Sequence, residues 1–224
     1  MKTANQIKSD ITNAFNRHIS VPTGSLFQPI PKTLTAGKLY EAYILAILAQ
    51  ELTSKEGFDL VLSEGREIRL RSSPGPIDRR FPFIEVLNPL TIAIIAEIWT
   101  DIEFLTLSYV IRNSPKIEKG DYHELDIIMV DPEINDRPHF TNLWLGVECK
   151  NTPYKKSLLK EILGVRREMS LLAAPNATRF QVFPRSEVPA NPPSCLIVYS
   201  SSSKVDGYTT PGEIFGIDFF YKPL

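Results

Sequence analysis

The sequence predicts an α/β layer structure with a mixed central sheet, and three observations carry that prediction. The segments 123–131 (HELDIIMVD) and 143–150 (LWLGVECK) are short, mostly apolar and rich in β-branched or large side chains, as buried strands are. An amphipathic helix follows the second of them, and a further apolar strand, 194–200 (SCLIVYS), follows the helix. Alternation of helix-period and strand-period segments points to helices layered on a sheet.

Taken in order, residues 1–18 place Ile7, Ile11 and Phe15 four apart, which predicts an amphipathic helix docked on this core or on a partner chain. After the Pro-containing stretch 21–31, residues 38–52 (KLYEAYILAILAQEL) are apolar nearly all round and predict a buried helix. Residues 58–62 and 67–71 read as strands of a hairpin joined at 63–66, and 73–80 as a loop with Pro and Arg. Residues 81–86 and 91–99 are ambiguous, and periodicity leaves the latter open between strand and buried helix. Residues 104–111 read as a strand that turns back through 112–121 into the 123–130 strand, and 131–141 connects to the strand at 143–150. The helix spans 156–172, with Leu158, Leu159, Ile162, Leu163, Met169 and Leu172 inward. A second Pro-rich connection covers 183–193, and 213–221 (EIFGIDFFY) reads as a final strand.

At 224 residues the chain fits one domain: an N-terminal helix and loop (1–36), a core (37–200) with a β-rich insertion at about 58–99, and a C-terminal strand extension (201–224). A formal net charge of −1 supplies no global basic field, so any case for a nucleic-acid partner must rest on where the charges sit. The most apolar run, 90–99, is about half the length that a membrane-spanning helix needs and contains Glu97. Cys149 and Cys195 read as free thiols, and with no secretory signal this points to the cytoplasm.

The chemistry lies in three residues of the apolar strands. Asp126 stands between Leu125 and Ile127, where a carboxylate is costly unless it is paired or holds a metal. Glu148 and Lys150 are two apart and share a face, with Cys149 on the other. Asp126 and Glu148 on neighbouring strands could reach one hard cation such as Mg²⁺, with the backbone carbonyl of Cys149 as a third oxygen. Lys150 would then stand beside the attacking water and a phosphate. The bland alternative pairs Asp126 with Lys150 at a strand end and leaves Glu148 in solvent. Glu41 reads either as an acid tolerated near a helix N-terminus or as a further site residue. Glu124, one pleat before Asp126, reads as a salt-bridge partner rather than a ligand. By alternation His123 points away from Asp126. No GxSxG and no phosphate-cradling glycine loop occurs. Lys150, Lys155, Lys156, Lys160, Arg166 and Arg167 face a single acid, Glu161, over eighteen residues, and the last five read as a phosphate-binding face.

The sequence Glu-Leu-Asp126 followed 22 residues later by Glu148-Cys-Lys150, in the order αβββαβ, resembles the PD-(D/E)xK superfamily of metal-dependent nucleases, over roughly residues 37–200. Leu125 stands where the motif's name has proline. The resemblance implies a restriction-endonuclease-like fold with a central mixed sheet flanked by helices. It implies that Asp126 and Glu148, with Glu41 from the first core helix, hold Mg²⁺ (or Mn²⁺ as substitute) and that Lys150 serves the nucleophilic water. It further implies a DNA endonuclease of restriction, phage defence or repair, working as a homodimer or higher oligomer, with a possible partner subunit of a defence system. The alternatives are an RNA-cleaving nuclease of the same fold or a non-catalytic nucleic-acid-binding or assembly module.

Overall fold

A computed structural model describes residues 3–22, 34–65, 67–68, 70–71, 73–113 and 115–224. Helices α1 (Ala4–His18) and α2 (Ala36–Glu51) precede strands β1 (Asp59–Leu62), β2 (Ile84–Leu87) and β3 (Ile94–Leu105). Helix α3 (Leu107–Arg112) leads to β4 (Tyr122–Val130) and β5 (Leu143–Lys150). Then come α4 (Lys156–Met169), β6 (Leu171–Ala177), β7 (Glu187–Asn191), β8 (Cys195–Ser200), α5 (Thr210–Phe215) and β9 (Ile217–Tyr221).

The main sheet has seven strands in the order β1-β2-β3-β4-β5-β8-β9. Strands β1 to β5 pair antiparallel in chain order, whereas β8 runs parallel to β5 and β9 to β8. A parallel neighbour needs a crossover, and α4 supplies it between β5 and β8. The chain is therefore α/β with a mixed sheet flanked by helices. Strands β6 and β7 form a separate two-stranded sheet.

Both faces of the main sheet are covered. On one, α1 and α2 bring Ile11, Phe15, Ile44 and Leu48 against Ile98, Ile127, Met129 and Val147. On the other, α4 brings Leu159, Ile162 and Met169 against Leu125, Ile128, Leu196 and Val198. Burial on both faces explains why β4, β5 and β8 read as continuous apolar runs without alternation. Helix α1 thus docks on this core. In α2 the Thr35 side chain caps the first turn by accepting from Lys38 N–H, and the all-round apolar composition fits its burial. Among the described residues, no helix is long and apolar enough to cross a membrane.

Several expected elements differ. The partner of β1 is β2 rather than residues 67–71. Arg66, Arg69 and Ser72 lie outside the described residues, as does most of the 21–31 stretch, and the described part of 67–71 forms no strand. Residues 91–99 contribute to β3, a strand of 12 residues that ends at Leu105. The expected 104–111 strand gives way because Thr106 accepts the N–H of Tyr109 and starts α3. Helix α4 stops at Met169, and Leu172, expected inside it, lies on β6 and is exposed. The final strand is shorter than 213–221, since α5 runs to Phe215 and Gly216 in the left-handed region ends it.

Candidate functional site

The site forms where two strands part. Pairing of β3 with β4 runs out to Leu105–Tyr122, but pairing of β4 with β5 stops at Ile127–Val147. Asp126 and Glu148 are the first residues past that last pair. The Lys150 carbonyl accepts from Ser201 N–H, so in the parallel ladder Lys150 and Glu148 turn their backbone groups to β8 and Cys149 turns its own to β4. The fork leaves the Cys149 N–H without a ladder partner, and Asp126 Oδ2 accepts it at 2.6 Å. By the same alternation the Cys149 carbonyl is directed to the fork.

The alternation of side chains slips at this point. Register sets Asp101 opposite Asp126, between the pairs Thr100–Ile127 and Ile102–Leu125. Asp101 has φ +55°, a left-handed conformation that aspartate tolerates better than most residues. Ile98 packs on the α2 face, yet Ile102 and Phe104 pack on the α4 face. Leu125 and Ile127, two apart, likewise face opposite ways. The slip corrects the reading of His123. It lines the same cleft as Asp126, a cavity of about 410 Å³ with Glu103, Tyr122, Glu124, Glu148, Lys150, Glu161 and Val165.

Around Asp126 the acids divide into two groups. Toward α2, carboxylate oxygens of Glu41, Asp101 and Asp126 lie within 4.8 Å of one another, a donor set that fits a hard cation. Lys38 bonds to Glu41 at 2.6 Å and also to Asp101. Toward α4, Glu148 is 6% exposed and its Oε2 lies 2.7 Å from Lys150 Nζ, which also holds Glu161 at 3.0 Å. Asp126 thus shares a cluster with Glu41 and Asp101, while Glu148 is held by Lys150 and also feels the Asp126 charge. The bland alternative does not describe this arrangement: Glu148 is buried, and Asp126 bonds to the Cys149 backbone.

Burial, and after it the neighbouring charges, raises the carboxyl pKa values. Burial first, then Asp126, pushes Glu148 up to about 8. Glu41 is pushed up to about 7, with burial ahead of the charges of Asp101 and Asp126. Burial also raises Asp126, against the hydrogen bond from Cys149, and it raises Asp101 against Lys38. Burial opposes the charge on Lys150, but Glu148 and Glu161 outweigh it and raise its pKa, so this lysine stays an ammonium. By contrast the buried Glu97 is satisfied structurally: Arg79 grips both of its oxygens, at 2.6 and 2.9 Å, and Trp99 and the Glu133 N–H donate as well.

Lys155, Lys156, Lys160 and Arg167 are exposed on α4 and the turn before it. Arg166 is a correction. It is 3% exposed, donates to the Phe215 carbonyl and the Ser194 hydroxyl, and has no carboxylate partner among the described residues. It is not on the exposed basic face that the other four form. The spacing held the signal, since Leu159, Ile162, Arg166 and Met169 step by three, four and three along one helical stripe. Glu124 is likewise no salt-bridge partner: it is exposed on the cleft and has no ion pair among the described residues.

Three residues escaped the sequence reading. Asp101 lies past the end of the 91–99 segment, where nothing local sets it opposite Asp126. Lys38 sits three before Glu41 on one helix face, a spacing that could have exposed the pair. Glu161, the single acid of the basic stretch, meets Lys150 across the crossover. No family model, curated protein or solved structure matches this chain.

Proposed function

We propose that the chain is a Mg²⁺-dependent phosphodiesterase of restriction-endonuclease-like architecture that cleaves DNA. The observation that carries this reading is the meeting of Asp126, Glu148 and Lys150 on one cleft at a strand fork, with Glu41 reaching Asp126 from α2. The order α2, β3-β4-β5, α4, β8 agrees with the αβββαβ arrangement of such enzymes.

Five acids line this cleft, Glu103, Glu124, Asp126, Glu148 and Glu161, and they would repel a polyanion. A divalent cation held by the Asp126 group would offset part of that repulsion. Asp126, Glu41 and Glu148 are the residues that would hold Mg²⁺, with the Cys149 carbonyl directed to the same fork. The bound ion would supply Lewis-acid activation of water and stabilise charge on the leaving oxygen.

The protein's own groups do the rest. Lys150 is too firmly protonated to act as a base, so its N–H donors orient water and a phosphate oxygen and offset developing negative charge. Glu148 and Glu161 hold that ammonium in place. Asp126 is fixed by the Cys149 N–H, which keeps its carboxylate at the fork. Lys155, Lys156, Lys160 and Arg167 extend a basic face along α4 for the phosphate backbone. Cutting both strands calls for a second copy of the chain.

Incubation of supercoiled plasmid with the wild-type chain and Mg²⁺ tests the reading. Nicking that needs Mg²⁺ and disappears in Asp126→Ala and Lys150→Ala is the expected result. Cleavage that survives Asp126→Ala overturns it, and cleavage confined to a parallel RNA substrate reassigns the substrate.

A further inference from the structure

The acids near Asp126 already have one of the chain's own cations among them. Lys38 lies in the first turn of α2 and Glu41 three residues on, so both side chains leave the same helix face. The Lys38 ammonium donates to Glu41 Oε2 at 2.6 Å and to Asp101 Oδ1, two of the three carboxylates that lie within 4.8 Å of one another. Glu41, as one of the three, cannot turn fully to a cation beside Asp126 while it is bonded to Lys38.

The two partners of Lys38 differ in freedom. The Asp101 side chain is 2% exposed, and its Oδ2 accepts the Arg71 N–H at 3.2 Å. Its backbone carbonyl accepts from Gly75 N–H, and its left-handed φ fits one local turn of the strand. Glu41 is 12% exposed and, beyond Lys38, no hydrogen-bond partner of its carboxylate is seen among the described residues. Asp101 therefore has more bonds holding it in place than Glu41 has.

We infer that Lys38 is a tethered occupant of the acid cluster: it gives up Glu41 when a divalent cation binds, and Asp101 retains the released ammonium. This rests on the reading that Glu41 and Asp126 hold an ion. Three carboxylates against one ammonium leave an excess of negative charge for a divalent ion to offset, while Lys38 keeps the cluster from being three bare acids in its absence. Lys38 thereby sets the cation concentration at which the site fills. Asp101 acts through Lys38, as a positioning residue, and not as an ion ligand.

Calorimetric titration of the full chain with Ca²⁺ tests this, and thermal melting verifies that each variant is folded. Lys38→Met is expected to bind Ca²⁺ about tenfold or more tighter than wild type, since a unit positive charge leaves the immediate vicinity of the ion. A gain below about threefold, typical of a remote screened charge, overturns the inference. Lys38→Arg, which keeps the charge, is expected to stay near wild-type affinity, and a tenfold gain there overturns it too. Asp101→Asn is expected to weaken binding several-fold in the wild-type background and much less in the Lys38→Met background. Equal weakening in both makes Asp101 a ligand and overturns its role as anchor. Should Asp101→Asn fail to fold, the lysine pair still decides. Wild type that takes up no Ca²⁺ sinks the metal-site reading itself, an outcome distinct from uptake that ignores Lys38.

Discussion

Asp126 Oδ2 accepts the backbone N–H of Cys149 at 2.6 Å, across the point where β4 and β5 cease to pair. One carboxylate closes the open ladder and lies among the other acids. The side chain that makes the fork possible is also the centre of the site.

Asp126→Asn separates these two duties. The amide oxygen can still accept from Cys149, and one charge leaves a crowded buried cluster. Melting should therefore change little or rise, while Ca²⁺ uptake measured by calorimetry and Mg²⁺-dependent nicking should both be lost. Asp126→Ala should also lose both, and leaving the Cys149 N–H unsatisfied costs about 1–3 kcal/mol, less whatever repulsion is relieved.

The ion-free protein should lose stability as pH rises. Glu148 and Glu41 have an ordinary pKa of 4.5 and are pushed up to about 8 and about 7 in the fold. Between pH 4.5 and 8 the folded chain binds more protons than the unfolded one, so unfolding free energy falls across that window. Melts in a chelating buffer at about pH 5, 6, 7 and 8 should show a declining midpoint, and Glu148→Gln should flatten the decline. A midpoint that climbs over the same range contradicts the assignment.

The basic face and the buried arginine should part company. Replacing Lys156 or Lys160 with Gln should reduce the slope of log affinity for duplex DNA against log salt by about 0.9 per lost phosphate contact. Arg166→Ala should leave that slope alone, and it should cost about 3 kcal/mol by opening a cavity and orphaning the Phe215 carbonyl and the Ser194 hydroxyl. Filter binding across a salt series, with denaturant melts alongside, reads both effects.

Gly146 links the core to the fork. A Cβ there would meet Leu125 Cδ1 at 2.8 Å and the Met169 methyl at 3.2 Å. Gly146→Ala should cost about 1–3 kcal/mol through overpacking. Because Leu125 adjoins Asp126, Ca²⁺ affinity should fall with stability, unlike the response to a surface change such as Lys204→Ala. Unchanged uptake in a destabilised Gly146→Ala would show that the fork tolerates this strain.

The strands β4, β5 and β8, the helices α1, α2 and α4, and the residues Asp126, Glu148 and Lys150 were legible in the chain. Their signals are local: side chains alternate with period two in strands and about 3.6 in helices, and an acid in an apolar run stands out wherever the run folds. The pairing of β1 with β2 joins residues more than twenty apart, and no local pattern records that choice. The break at Asp101 and Asp126 reverses the facing of every residue beyond it, which moved His123 onto the cleft and hid Asp101. The burial of Arg166 followed from which stripe of α4 met the sheet. By itself the sequence determined which residues are candidates for the proposed chemistry, because that depends on side-chain type and short spacing. The tertiary structure alone decided that Asp101 faces Asp126, that Lys38 stands between Asp101 and Glu41, and that Lys150 is shared by Glu148 and Glu161, because those meetings depend on strand register and on where the sheet lets its strands diverge.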